Sequence, residues 1–173
     1  FFGVALNAAR GVAMQIENIA KQFVSSFLTA INPQITKTWA AGDRQGCFSL
    51  VFKAVKFSYL GVLVLLMPLL FEAETVLGLW LTVVPAHSAA FVRLALVALL
   101  VDMFGNPLLT LMLATGRVKK YYIVTGLVSY LCLPLVWLAF RLGASVEWSY
   151  VVFIVVYTVV LALKFLFVGE ETA

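Results

Sequence analysis

Ten polar side chains crowd the first stretch of this sequence: Asn7, Arg10, Gln15, Glu17, Asn18, Lys21, Gln22, Ser25, Ser26 and Thr29. At the angular step of an α-helix they fall within an arc of about 180°, and Leu6, Val12, Ala13, Ile16, Ile19, Phe23, Val24, Phe27 and Ile31 fill the remainder. Such a helix can lie flat in a membrane interface, apolar side down, or span the bilayer with its polar side on a water-filled cavity. Interfacial helices usually carry several Lys or Arg on the polar side. This one is mainly amide and hydroxyl with nearly balanced charge, which favours spanning. Ionisable groups at membrane depth are rare and usually mark a pathway or a buried pair.

Within that polar arc, Glu17 and Lys21 stand four residues apart with the acid on the N-terminal side, the favourable order for an intrahelical ion pair. Their first role is to neutralise each other, since either charge alone is costly to bury. Arg10 has no partner on its own helix. Its guanidinium stays charged and offers a planar fork of donors that matches phosphate or carboxylate, so it is the candidate for holding an anionic headgroup. The competing reading is a salt bridge to Asp102, which lies about 13 Å into its own helix by the helical rise. Asn106-Pro107 follows Asp102 by four residues, and Pro107 cannot donate to the carbonyl of Met103, so a kink is predicted there. Asp102, Asn106 and a freed carbonyl could coordinate a cation or relay a proton, or simply form a satisfied kink. Other chemistry finds little support. His87 is the single histidine, read as a solvated loop residue, and no His/Cys/carboxylate cluster has metal-ligand spacing. No Gly-rich phosphate loop occurs. The expectation is a chain that is not an enzyme, with no cofactor and no metal.

The elements that must position these groups are apolar. The 173 residues are 64% hydrophobic and 12% charged, with a mean hydropathy of +1.06. Soluble domains average about 45–50% apolar and about 25% charged, which argues against a soluble globular enzyme and for an all-α, polytopic transmembrane bundle. Five spanning helices are predicted over about 1–31, 48–71, 92–115, 120–141 and 147–168, each near the length a bilayer requires. The ten-residue apolar stretch from Thr75 to Val84 is too short to cross and reads as interfacial or re-entrant, with Trp80 at headgroup level. Trp148 and Tyr150 anchor the start of the last helix, which carries Lys164 near its far end.

The net charge is +4 and the isoelectric point about 9.2, yet the distribution reports topology rather than a nucleic-acid partner. Lys37, Arg44, Lys53 and Lys56 surround one connection and Arg117, Lys119 and Lys120 another. The connections around Glu72–His87 and Arg141–Trp148 are acidic or nearly neutral. The positive-inside rule then puts the N-terminal end outside and the C-terminal end inside. Cys47, assigned to a basic loop, and Cys132, inside an apolar run, read as small packing residues. A start at Phe1-Phe2-Gly3 rather than Met suggests an internal or C-terminal piece of a longer protein.

Several stretches resemble the bacterial polysaccharide flippases of the Wzx type, within the exporter superfamily that also contains the MATE drug transporters. They are Asn7-Ala8-Ala9-Arg10-Gly11-Val12-Ala13, Ala30-Ile31-Asn32-Pro33-Gln34-Ile35-Thr36-Lys37, Ala40-Ala41-Gly42-Asp43, Leu79-Trp80-Leu81 with Val84-Pro85, Asn106-Pro107 and Ala114-Thr115-Gly116-Arg117. They occur in the expected order and cover nearly the whole chain. Met14 and Glu17-Asn18 depart from the more neutral run expected at their positions. The resemblance implies five helices of the second lobe of a MATE-like fold, with the N-terminal lobe outside this chain and the first helix here lining a central cavity. It also implies a substrate, an undecaprenyl-diphosphate-linked glycan carried across the bacterial inner membrane by alternating access. Arg10 would hold the diphosphate, and Asn7, Gln15, Asn18, Gln22 and Ser25 the glycan. The alternative within the same fold is a cation-coupled multidrug exporter using Asp102. A membrane-embedded glycan polymerase or ligase is disfavoured, because it would need acid–base or metal groups in a site.

Overall fold

The computed structural model describes residues 4–116 and 118–172, with side chains from Leu6 to Gly169 apart from position 117. Phe1, Phe2, Gly3, Arg117 and Ala173 therefore lie outside the described residues. Among the described residues eight helices follow one another: α1 (Val4–Ala40), α2 (Arg44–Phe71), α3 (Ala73–Trp80), α4 (Ser88–Met103), α5 (Gly105–Thr115), α6 (Val118–Tyr130), α7 (Cys132–Arg141) and α8 (Trp148–Thr172). No strand occurs among the described residues.

Two pairs of these helices are single rods, each broken at one residue. Between α4 and α5 the break is at Phe104, directly after Met103, whose carbonyl has lost its donor to Pro107. Between α6 and α7 it is at Leu131, directly after Tyr130, which stands in the same relation to Pro134. Four rods (α2, α4–α5, α6–α7 and α8) are long and apolar enough to cross a bilayer, which marks the chain as a membrane protein. The first helix is longer than any of them at 37 residues, but too polar to be counted with them on composition.

α1 nevertheless lies along the bundle, packed against α2, α4 and α5. Its buried stripe is Ala9, Ala13, Ile16, Ala20, Val24, Leu28 and Ile35, a helical spacing of three and four with alanines where close approach is needed. Phe91, Val92, Ala95 and Leu99 of α4, with Val62 and Leu66 of α2, complete that core. The direction of each rod follows from its cross-contacts. Arg10 lies beside Ala95 and Asn32 beside Thr110, so α1 runs parallel to α4–α5. Cys47 and Ile35 pack together, as do Gly61 and Phe23, so α2 runs antiparallel. Tyr121 meets Phe167, and Cys132 meets Val156, so α6–α7 and α8 form a second antiparallel pair.

The structure departs from the sequence reading at several boundaries. Pro33 does not end α1, which continues to Ala40, so the first connection shrinks to 41–43 and both Lys37 and Arg44 are helical. Cys47 belongs to α2 rather than to a loop and is buried, its thiol directed at the carbonyl of Ile35 at 3.5 Å. The stretch from Thr75 to Val84 divides into the short helix α3 and an irregular segment after Trp80. His87 is more than a solvated residue. It adopts a left-handed backbone (φ 68°) at the start of α4, and its Nδ1 lies 2.8 Å from Oε1 of Glu147. That contact ties the connection before α4 to the one before α8, at one end of the bundle. At the other end Arg44 stacks on Trp39, 3.4 Å from the ring centroid, and Lys120 approaches the ring of Phe167.

Arg93 organises the His87 end further. Its guanidinium donates to the carbonyls of Leu70 and Phe71 and holds Glu74 through two bonds of 3.1 and 3.2 Å. The carbonyls that α2 leaves unpaired at its end are thereby capped, and α3 is fixed at its first turn. Arg93→Met should lower unfolding stability in detergent by about 1–2 kcal/mol, with Arg93→Lys recovering only part because the fork is lost. The carboxyl of Glu147 is held below its ordinary value of 4.5 by hydrogen bonds from the Ser145 hydroxyl and its own backbone N–H, with His87 adding to both. A depressed carboxyl contributes stability that is complete above its unfolded pKa and is lost as pH falls through the folded value. Thermal unfolding followed below pH 5 should therefore show an acid loss in the native protein that Glu147→Gln flattens.

Candidate functional site

The polar side of α1 divides into two parts once the neighbours are in place. One part faces the groove between α1 and the α4–α5 rod, and the other faces away from every helix described. Asn7, Gln15, Asn18 and Gln22 are exposed. Asn7 shares a small recess with Arg10, whereas Gln15, Asn18 and Gln22 project from the open side of α1. The hydroxyls behave differently. Ser26, Thr29, Thr36 and Thr38 each donate to the backbone carbonyl four residues earlier, at 2.7–3.2 Å, so their polarity is met inside the helix.

The groove itself has two compartments. The larger one, of about 450 Å³, is bounded by Lys21, Ser25, Thr29 and Asn32 of α1 and by Asp102, Asn106 and Thr110 across the break at Phe104. Thr110 donates to the side-chain oxygen of Asn32 at 3.0 Å, closing one end of the compartment. The second, of 170 Å³, brings Arg10, Met14 and Glu17 against Ala95 and Ala98 of α4 and Tyr150, Phe153 and Tyr157 of α8. Alanines at the crossing of α4 leave the room, and the rings of α8 form the wall.

The charges follow from this register. Lys21 and Glu17 form the predicted ion pair at 2.5 Å. Arg10 and Asp102 do not meet. Arg10 lies against Ala95, nearly two turns before Asp102, and the two belong to different compartments with no ion pair between them. Asp102 instead lies between two lysines, Lys21 across the compartment and Lys164 on α8, whose side chain runs over Gly105. Lys164 lines neither compartment, and the ionic side chains that do, Glu17, Lys21, Asp102 and Arg10, sum to zero charge. Arg10 nevertheless forms no ion pair with any described residue.

Three participants were not assigned from the sequence. Asn32 was visible only as part of Asn32-Pro33, and Thr110 had no signal beyond lying four residues after Asn106. Lys164 was seen as a charge near a helix end, and only tertiary packing brings it to the break. Among the described residues no group of His, Cys, Asp and Glu has the arrangement of a metal site. The separation of Arg10 from Asp102 predicts that their effects are independent: in detergent unfolding, the losses from Arg10→Ala and Asp102→Asn should add to within about 0.5 kcal/mol in the double variant. Compared with models of protein families, with curated proteins and with solved structures, the chain matches none.

Proposed function

We propose that this chain is part of a transporter that moves a lipid-linked glycan with a diphosphate headgroup across the bacterial inner membrane, with Arg10 as the anchor of the headgroup. The observation that carries this reading is the isolation of Arg10. Glu17, the acid of its compartment, is held by Lys21, and Arg10 forms no ion pair with any described residue, beside aromatic walls and room for a ligand. A guanidinium in that setting binds a diphosphate through paired, charge-assisted hydrogen bonds. The exposed amides Asn7, Gln15, Asn18 and Gln22, with Ser25 in the larger compartment, provide unpaired donors and acceptors for sugar hydroxyls. Transport needs no covalent chemistry from the protein.

In this reading α1 is the fifth spanning helix, tolerated at depth because its polar half faces a cavity shared with the N-terminal lobe of a MATE-like fold. The pairing of His87 with Glu147 at one end, and the gathering of Lys37, Arg44, Lys119 and Lys120 toward the other, support an orientation with the basic end in the cytoplasm. The N-terminal end of the chain is then periplasmic. A second reading, a cation-coupled multidrug exporter, is favoured by one observation: Asp102 and Asn106 flank a helix broken at Phe104.

Export of surface glycan in a flippase-deletion strain separates the two. Arg10→Ala should abolish export and weaken binding of a polyprenyl diphosphate by at least about tenfold, the equivalent of one charge-assisted hydrogen bond. Arg10→Lys should restore export in part. Full export by Arg10→Ala at normal expression overturns the anchoring role, and loss of ion-dependent transport confined to Asp102→Asn supports the exporter instead.

A further inference from the structure

Two lysines of α2 lie well past its start at Arg44, on the outer side of a candidate span. The rod buries Val51, Ala54, Ser58 and Val62. Lys53 and Lys56 stand on the opposite side and are exposed. Phe52 and Phe57, 66% and 60% exposed, flank them, and exposed Leu60, Val64 and Met67 continue the same side toward Phe71. A surface this apolar on a spanning helix belongs to lipid, and a charge placed there needs a counterpart.

Depth fixes what that counterpart is. At Phe71 the rod ends under the charged pair of Arg93 and Glu74, which marks the edge of the hydrocarbon on that side. Lys56 precedes Phe71 by 15 residues and Lys53 by 18, about 22 and 27 Å by the helical rise. The hydrocarbon core is about 30 Å thick, so both backbones lie just inside its opposite edge. From there a lysine leaves its apolar stem in lipid and lifts its ammonium to the headgroups. Side chains three residues apart on a helix start about 5–6 Å from each other, so the two ammoniums can share one phosphate. No acid of the protein competes for them. α2 carries no Asp or Glu, and neither lysine forms an ion pair with any described residue.

We propose that Lys53 and Lys56 form a binding site for an anionic phospholipid, its phosphate held between the two ammoniums and its acyl chains lying along the Phe57–Leu60–Val64 side of α2. A zwitterionic lipid fits less well, because its own cation offsets the phosphate, whereas an anionic headgroup keeps its charge for the lysines. The inference does not depend on what the chain transports, since it concerns only the outer side of one rod.

The test is thermal unfolding of the purified protein in detergent micelles doped with phosphatidylglycerol or, at the same mole fraction, with phosphatidylcholine. The native protein should unfold about 3–6 °C higher with phosphatidylglycerol, the shift expected when the lipid is about tenfold above its Kd. Lys53→Gln combined with Lys56→Gln should lose that difference, and Lys53→Arg combined with Lys56→Arg should keep it. Lys37→Gln combined with Lys119→Gln removes the same charge from exposed positions at the same end and should keep it as well. A native protein that does not distinguish the two lipids overturns the proposal. So does an equal loss in both glutamine pairs, which would make the attraction a property of the whole basic end. If the Lys53→Gln, Lys56→Gln protein does not fold, Lys56→Gln alone decides: it should lose at least half of the difference, and retention of the full shift overturns the proposal.

Discussion

The arrangement of this bundle depends on how α1, too polar to be counted with the four apolar rods, packs against α2 and α4–α5. Half of its circumference is polar. Its apolar stripe is narrow and rich in alanine, which allows α4 to approach closely along much of its length and fixes the register in which Arg10 falls beside Ala95 and Asn32 beside Thr110. Once that register is set, the polar side has two exits, a groove against α4–α5 and α8 or the open flank. The compartments and the isolation of Arg10 both follow from it.

The two broken rods show how far a local rule reaches. Pro107 and Pro134 each remove a donor, and each rod breaks just after the residue whose carbonyl is orphaned. Pro33 and Pro68 remove donors as well, and α1 and α2 run on through them. At Phe104 a glycine follows the break immediately and a lysine from another helix passes over it.

Much of the architecture was legible in the sequence because it rests on period and composition. The four apolar rods, the polar arc of α1, the break near Pro107 and the pairing of Glu17 with Lys21 each need only neighbours a few residues apart. What escaped depends on distant partners. Arg93 caps α2 across 22 residues, His87 meets Glu147 across 60, and Thr110 reaches Asn32 across 78. The Arg10–Asp102 pair illustrates the limit from the other direction. Similar depth made it plausible, but depth along two helices says nothing about the rotation of each, and rotation together with axial register keeps the two apart. The extension of α1 past Pro33 was hidden because a proline's effect is decided by the packing around it, here Ile35 against Cys47 and Leu108.

The inward-bonded hydroxyls of α1 give it an unusual tolerance. Ser26, Thr29, Thr36 and Thr38 each keep an acceptor within their own turn, so the surroundings at those positions can change from wet to oily without stranding a donor. Gln15, Asn18 and Gln22 have no such refuge and must find a partner wherever the helix goes. One helix thus carries both kinds of position, some indifferent to what covers them and others that register every exchange of water for something else.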